Sequence, residues 1–186
     1  MTVASEQFFD RVQRTTALVI GDVMVDAYLW GRVERISPEA PVPVVQVHER
    51  SARLGGAANV ALNMKALGAN AVVISVVGDD DHATNLHLQF KDQGLSVAGI
   101  IRSPVRRTTV KTRVISGHQH IVRVDEEQED DLSTNDANAL IDRVRTLLES
   151  EKPGVVVLED YNKGVLSEQT ISRIIELAHS ANVPVA

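Results

Sequence analysis

Ala17-Leu18-Val19-Ile20-Gly21-Asp22 is an unbroken apolar run that ends in a glycine and an acid. Two similar runs follow, Ala71–Val77 (AVVISVV) and Val155–Leu158 (VVVL). Continuous apolar runs, rather than alternating ones, are typical of strands that are buried on both faces of a parallel sheet. The three runs therefore predict the central strands of a sheet that helices cover on both sides.

Helical patterns lie between these runs. Segments 133–150 and 167–180 carry apolar residues every three or four positions, behind Ser133 and Ser167, which we expect to be N-caps. Gly56–Leu67 is apolar nearly all round and predicts a deeply buried helix. This alternation of strands and helices predicts an α/β fold, a doubly wound and mostly parallel sheet flanked by helices.

The composition narrows the class of protein. The 186 residues are 44% hydrophobic and 24% charged, which is typical of a globular chain, and they include no cysteine, which excludes disulfide scaffolds and thiolate chemistry. A net charge of −6 argues against a nucleic-acid partner. No apolar run reaches the roughly 18 residues of a membrane span, and no signal-peptide pattern opens the sequence. These features predict a cytoplasmic protein without membrane contact.

Two stretches break the alternation. The first, about residues 28–47, holds three prolines within six residues, which forbid a helix and disfavour a central strand. The second, residues 108–124, alternates polar and apolar residues around Gly117 and predicts an antiparallel hairpin. We expect the first stretch to form a small sheet projecting from the edge of the main sheet, and both stretches to form a β lid.

Two stretches of the sequence contain candidate metal ligands. The run Asp125–Asp131 holds six acids in seven residues and is expected to be a solvated linker rather than a carboxylate metal cluster. His118 and His120 alternate onto one side of the predicted hairpin, but they lack a third ligand. The sequence therefore assigns no residue to a metal.

The stretch Leu54-Gly55-Gly56-Ala57-Ala58-Asn59, at the start of the predicted buried helix, is the strongest candidate for a ligand site. Two glycines let a ligand approach the backbone, and N–H groups at a helix start attract anions or hydroxyl oxygens. Asn59 donates and accepts hydrogen bonds, as discrimination among sugar hydroxyls requires. Tight packing of a strand against a helix explains the glycines equally well, so both interpretations stay open.

Further candidates follow two predicted strands, because the carboxyl ends of parallel strands line a ligand crevice. Asp22 and Asp26 follow the first strand, and each could accept hydrogen bonds from hydroxyls or cap backbone N–H groups in a turn, an alternative that is stronger for Asp22. Asp160 and Lys163 follow the strand 155–158. Lys163 is either a cation for a phosphate or a solvated surface lysine.

The predicted hairpin adds a basic face. Lys111 and Arg113 lie on one side of its first strand, with Arg106 and Arg107 just upstream. A basic face in an acidic protein predicts one anionic ligand. Whether Arg123 joins this face depends on the turn: a three-residue loop pairs it with Arg113, and a two-residue loop does not.

Together these motifs resemble the ribokinase-like (PfkB) family of sugar kinases. The first family signature, spaced small residues around an asparagine, is filled by Gly55, Gly56, Ala57, Asn59, Ala61, Gly68 and Gly78. Three motifs are similar to the D-glycero-β-D-manno-heptose 7-phosphate kinases, the kinase part of ADP-heptose synthesis for lipopolysaccharide: Ile36–Val44 (ISPEAPVPV), Thr108–Arg113 (TTVKTR) and Asp160–Gly164 (DYNKG). The resemblance covers essentially the whole chain.

The resemblance implies a large α/β domain with a small β lid, and ATP and Mg²⁺ for the complete enzyme. It implies that a sugar phosphate binds, that Asp26, Gly56 and Asn59 hold its hydroxyls, and that Lys163 and the hairpin basic residues are candidates for its 7-phosphate. The expected substrate-binding set is Asp26, Gly55, Gly56, Asn59, Lys111, Arg113, Asp160 and Lys163.

The sequence departs from the family in its second signature. The 186 residues contain no D-T-x-G-A-G-D turn, which supplies the catalytic aspartate and the anion hole, and no N-x-x-E segment of the kind associated with the nucleotide. We expect the catalytic aspartate and the nucleotide site to lie beyond Ala186. Residues 1–186 are then a C-terminally truncated, incomplete kinase domain that holds the sugar-binding half and is inactive alone.

Two other functions fit the same residues, a kinase for another sugar or a nucleoside, and a non-catalytic sugar-binding module. The reading frame after Ala186 discriminates between them, since a downstream G-A-G-D supports a kinase and a stop codon supports the module. Four valines on an expected lid edge, Val42, Val44, Val45 and Val47, predict either a homodimer through the lid or closure over the site.

Overall fold

A computed structural model describes residues 3–186 of the chain as alternating helices and strands. The helices are α1 (Val3–Gln13), α2 (Ala57–Ala66), α3 (Asp81–Asp92), α4 (Thr134–Glu151) and α5 (Glu168–Ser180). The strands are β1 (Thr16–Gly21), β2 (Val23–Ile36), β3 (Pro43–Gly56), β4 (Asn70–Gly78), β5 (Ile100–Ser103), β6 (Thr109–Ser116), β7 (Gln119–Glu126) and β8 (Val155–Glu159).

The first sheet has the strand order β5-β4-β1-β8, and every pair in it is parallel. β1 is central, with Leu18 opposite Val72 on β4 and Val156 on β8. Alternate residues of β1 enter different cores: Leu18 packs with α4 and α5, whereas Val19 packs with α2 and α3. The three apolar runs are therefore the predicted strands; β1 and β4 are buried on both faces, whereas in β8 only Val156 is fully buried.

The predicted α/β architecture, a parallel sheet flanked by helices, is confirmed, and three helices lie where the sequence predicts them. Ser133 and Ser167 cap α4 and α5, because each hydroxyl accepts a hydrogen bond at 3.2 Å from the backbone N–H three residues later. α2 differs from expectation. Its buried residues are Ala57, Ala58 and Ala61. Its far side faces outward, so the prediction of a deeply buried helix was wrong.

The second sheet has the strand order β3-β2-β6-β7 and joins the two segments predicted as a lid. β2 and β3 form a long antiparallel hairpin, and β2 also pairs in parallel with β6, which forms a hairpin with β7. The sequence predicted a small projection from the main sheet. Instead β2 begins at Val23 and β3 continues to Gly56, so the strands form a separate sheet.

Several elements were not anticipated, namely α1, α3 and β5. After α5 the backbone runs beside β8: the Val156 N–H donates to the Pro184 carbonyl at 2.9 Å, and the Ala186 N–H donates to Val156 at 2.9 Å. The segment after α5 thus pairs in parallel with β8, with Val185 opposite Val156. No helix within residues 3–186 is long and apolar enough to cross a membrane.

We predict that Gly56→Ala destabilises the fold more than Gly117→Ala does. Both glycines have φ +59, where an alanine is strained by about 1 kcal/mol or more, and the ψ of −138 at Gly56, outside the left-handed helical region, makes the strain larger there. A Cβ at Gly56 also collides with the carbonyl oxygen of Asp22, whereas a Cβ at Gly117 meets nothing within 4 Å. Urea unfolding should give a loss of about 1 kcal/mol for Gly117→Ala and about 3 kcal/mol for Gly56→Ala. Equal losses would contradict this contact.

Candidate functional site

Asp22 stands at the carboxyl end of β1 and is only 1% exposed. Its carboxylate accepts three backbone hydrogen bonds, from the N–H groups of Tyr161 (2.9 Å), Lys163 (3.1 Å) and Val165 (3.1 Å). Of the two interpretations of this residue, the structure supports the cap of backbone N–H groups. Asp22 therefore holds the loop after β8 against the end of β1, and that loop carries Asp160 and Lys163.

Asp26 lies on β2, directly opposite Arg53 of β3 and Lys111 of β6. Its Oδ1 accepts a hydrogen bond from Arg113 Nη1 at 2.6 Å. A Cβ on Gly55 would lie 2.5 Å from Asp26 Oδ2, so a glycine at this position leaves room for the carboxylate. Two residues of the predicted site, Asp26 and Gly55, are thus neighbours across the β2–β3 pair.

A cleft of about 600 Å³ is lined by two of the predicted sugar-binding residues. Asp26 and the exposed Asn59, on the first turn of α2, line the same cleft, with Tyr28, Arg53 and Leu54. The C-terminal turn of α3 adds three polar side chains that the sequence analysis missed: Gln89, Asp92 and Gln93. Such a set of carboxylates and amides accepts and donates hydrogen bonds, which is the chemistry that polyhydroxy ligands require.

Gly56 occupies the N-cap position of α2, and no side chain in the described part of the chain caps it there. The first N–H group of the helix, from Ala57, donates to the carbonyl oxygen of Asp22 at 2.9 Å. The left-handed backbone of Gly56 and its closeness to Asp22 account for this glycine without a ligand. The packing explanation therefore holds for Gly56, and its part in ligand binding stays a prediction.

The acidic run, residues 125–131, begins at the end of β7 and contacts both Lys111 and Lys163. Lys111 Nζ lies 2.6 Å from Glu127 Oε2 and 3.3 Å from Asp125 Oδ2. Lys163 Nζ lies 3.1 Å from Glu127 Oε1 and 2.7 Å from Glu129 Oε1. The acidic run is therefore not the solvated linker expected from its composition, because lysines from two distant segments draw it onto the protein.

Protonation equilibria reflect these pairs. Hydrogen bonding to Lys111 holds the pKa of the Glu127 carboxyl below its ordinary value, and Lys163 adds to the effect. The hydrogen bond to Glu129 raises the pKa of Lys163 above its ordinary value. The Glu127 carboxylate and the Lys163 ammonium group are consequently charged at neutral pH.

Arg106, another member of the predicted basic face, donates hydrogen bonds to backbone carbonyl oxygens. Its guanidinium donates to the carbonyl oxygens of Asp130 (2.9 Å) and Lys163 (2.6 Å). The Leu132 N–H donates to the carbonyl oxygen of Gly164 at 3.1 Å. These hydrogen bonds attach the C-terminal end of the acidic run to the loop after β8.

Arg113 lies opposite Arg123, although the turn between them has only two residues, Gly117 and His118. The sequence pattern predicted this pairing only for a three-residue loop. A bulge at Ile121 supplies the extra residue and shifts the register. Arg113 also lies 5.4 Å from the ring centre of Tyr28, within the range of a cation–π contact, and its hydrogen bond turns it toward Asp26.

Asp160 is exposed, and its Oδ1 accepts a hydrogen bond from the Asn162 N–H at 2.7 Å, so it shapes the loop after β8. Tyr161 beside it was not anticipated as a site residue. Burial raises the pKa of its phenol above the ordinary value, as do the carboxylate and hydrogen bond of Glu159 and the charge of Asp26. Tyr161 therefore lies near the Asp26 carboxylate with its hydroxyl protonated.

In the portion of the chain that the structure describes, no three His, Asp or Glu side chains are grouped to hold a metal ion. His118 and His120 lie exposed at the tip of the β6–β7 hairpin.

Comparisons with known proteins converge on one family. The pattern of the pfkB family carbohydrate kinases matches residues 14–186. The chain is 42% identical over 180 residues to the bifunctional protein HldE of Geobacter sulfurreducens, covering 97% of this chain and 36% of that protein. Against HldE of Caulobacter vibrioides it is 47% identical over 170 residues, covering 91% and 34%.

Solved structures agree on the fold. Arabidopsis thaliana ribokinase, complexed with ribose and ATP, matches with a TM-score of 0.59 at 16% identity, covering 92% of this chain and 52% of that one. A carbohydrate kinase from Agrobacterium tumefaciens matches with a TM-score of 0.60 at 16% identity, with the same coverage. The chain thus spans about a third of the curated relatives and about half of these structures.

We predict that Asp22→Asn destabilises the protein by about 2 kcal/mol, because an amide offers one acceptor oxygen and turns an NH₂ group toward buried N–H donors. Asp160→Asn is the matched control, since an amide oxygen still accepts the Asn162 N–H at an exposed position. Urea unfolding should show a change of at most about 0.5 kcal/mol for this control. Similar losses for both variants would contradict the anchoring role of Asp22.

Proposed function

Because the chain belongs to the pfkB carbohydrate kinase family, we propose that residues 1–186 form the sugar-binding part of a kinase that uses ATP to phosphorylate the anomeric hydroxyl of D-glycero-β-D-manno-heptose 7-phosphate. The observation that carries the proposal is the cleft in which Asp26 and Asn59 face a common space. These are the two side chains that the family resemblance assigns to sugar hydroxyls.

The cleft residues supply complementary hydrogen-bonding groups. The Asp26 carboxylate accepts from sugar hydroxyls, and Asn59 both donates and accepts, so that the orientation of a hydroxyl affects binding. Arg113 orients the Asp26 carboxylate through its 2.6 Å contact. Because side-chain positions fixed by packing bind a polyol with less loss of entropy, this contact also favours affinity.

The choice of a heptose phosphate rests on the relatives. The HldE proteins are 42% and 47% identical to this chain over nearly its whole length. The stretches Ile36–Val44, Thr108–Arg113 and Asp160–Gly164 carry the resemblance to heptose 7-phosphate kinases. Two of these stretches contain Lys111 and Lys163, whose ammonium groups both contact Glu127. A sugar phosphate that reaches from Asp26 to these lysines would contact two of the three stretches.

Phosphoryl transfer needs groups beyond those described. ATP supplies the transferred phosphoryl group, with Mg²⁺ to neutralise charge. No cluster of three acidic or histidine side chains within residues 3–186 fits a metal ion, and the 186 residues lack the G-A-G-D string. We therefore assign these residues to binding and orientation of the sugar and derive no step of the transfer from them.

We predict that Asp26→Asn weakens binding of heptose 7-phosphate to the 186-residue chain at least tenfold, because the amide loses the charge and one acceptor oxygen. Asn59→Ala should weaken it by a smaller factor. Asp142→Asn, on the exposed face of α4, is the control with the same charge change and should leave the Kd unaltered. Isothermal titration calorimetry measures all three. Unaltered binding by Asp26→Asn would remove the basis for the proposed site.

We also predict that the 186-residue chain does not convert ATP to ADP in the presence of heptose 7-phosphate. A coupled ADP assay, with the Geobacter sulfurreducens HldE protein as positive control, measures this. Turnover by the 186 residues comparable to the control would show that they contain their own catalytic base and nucleotide site. Sugar binding without turnover is the expected result.

A further inference from the structure

Glu127 bridges the two lysines that stand as candidates for a phosphate. One carboxylate oxygen, Oε2, lies 2.6 Å from Lys111 Nζ, and the other, Oε1, lies 3.1 Å from Lys163 Nζ. An anion held between two lysines makes the same pair of contacts. Glu127 therefore occupies the position that a phosphate bound by both lysines would require.

The fold presents Glu127 at this position. β7 ends at Glu126, one residue before it, and Arg106 binds the backbone of Asp130 three residues after it. The lysine side chains are only 15% and 11% exposed, and Glu127 is 21% exposed. The contacts are consequently shielded from solvent more than ordinary surface ion pairs.

The charges around the two lysines already balance. Lys111, Lys163 and Arg123 supply three positive charges. Three carboxylates contact them: Asp125, Glu127 and Glu129. A phosphate dianion that joined this cluster without displacing a carboxylate would create net negative charge at short range, which is unfavourable in a partly buried site.

We propose that Glu127 is a specificity-determining residue that competes with the anionic group of the ligand for Lys111 and Lys163. The inference rests on the proposed function insofar as the ligand is a sugar phosphate. A phosphate binds the lysine pair only when the Glu127 carboxylate leaves it, so Glu127 lowers the affinity for phosphate-bearing ligands. The affinity for an unphosphorylated sugar in the Asp26 cleft does not depend on Glu127.

Glu127→Gln tests the competition, because glutamine keeps the size of the side chain and removes its charge. Titration calorimetry at fixed ionic strength compares three probes: inorganic phosphate, heptose 7-phosphate and the same heptose without phosphate. We expect Glu127→Gln to tighten binding of both phosphate-bearing probes about three- to tenfold and to leave the unphosphorylated heptose within about twofold.

Glu126→Gln is the matched control. It removes the same charge one residue away, but its carboxylate lies 3.8 Å from His82 Nε2, and its residue pairs with Val110 rather than Lys111. Its affinity for phosphate should stay within about twofold of the parent chain. An equal gain in Glu126→Gln would assign the effect to net charge and overturn the proposal.

Other outcomes are equally decisive. Weaker phosphate binding by Glu127→Gln shows that Glu127 positions the lysines, and unchanged binding shows no competition; either result overturns the inference. Should Glu127→Gln not fold, Glu129→Gln removes the acid that contacts Lys163 alone and must still tighten phosphate binding relative to the parent chain; unchanged binding overturns the inference. Failure of the parent chain to bind any heptose contradicts the proposed function instead, while the inorganic phosphate titration still decides the inference.

Discussion

Asp22 contacts three parts of the structure through hydrogen bonds of its backbone and side chain. Its N–H donates to Glu159 of β8, its carbonyl oxygen accepts from Ala57 at the start of α2, and its carboxylate holds three N–H groups of the loop after β8. The chain leaves β1 at this residue and enters β2 directly after it. The buried charge is tolerated because three donors replace its water. The glycine at position 56 and the second sheet both depend on this junction.

The second sheet converts that junction into a site. Its pairing register places Arg53, Asp26, Lys111 and Asp125 in one row across β3, β2, β6 and β7, so that positive and negative side chains alternate. Opposite charges in adjacent strand positions stabilise a sheet, and the order of the row leaves each carboxylate beside a cation. Asp26 then turns to Arg113, two residues along β6, while Lys111 turns to the acidic run. One register thus separates the carboxylate proposed to bind hydroxyls from the lysine proposed to bind an anion.

The sequence predicted what local burial controls and missed what distant contacts control. The runs around Leu18 and Ile74 were predictable because strands buried on both faces have an unbroken apolar pattern. α3 was also predictable, because Asp80 is a typical N-cap residue and is followed by apolar residues at helical spacing. These residues, Ala83, Leu86 and Phe90, are buried in the structure. The contacts of Glu127 with Lys111 and Lys163 were not predictable, since they depend on how separate segments meet. A bulge such as that at Ile121 shifts a register without altering the apolar alternation.

A residue that stabilises the fold, Asp22, lies only four positions before a residue that faces the cleft, Asp26. Asp22 is withdrawn from solvent by three N–H donors, whereas Asp26, on β2 four residues later, keeps its carboxylate at the cleft beside Gly55. The difference follows from the pairing partners, backbone donors for Asp22 and the Arg113 side chain for Asp26. A side-chain partner is able to reorient when a ligand hydroxyl arrives, whereas a backbone partner is fixed by the loop. Only the second carboxylate is therefore suited to exchange its hydrogen bonds with a sugar.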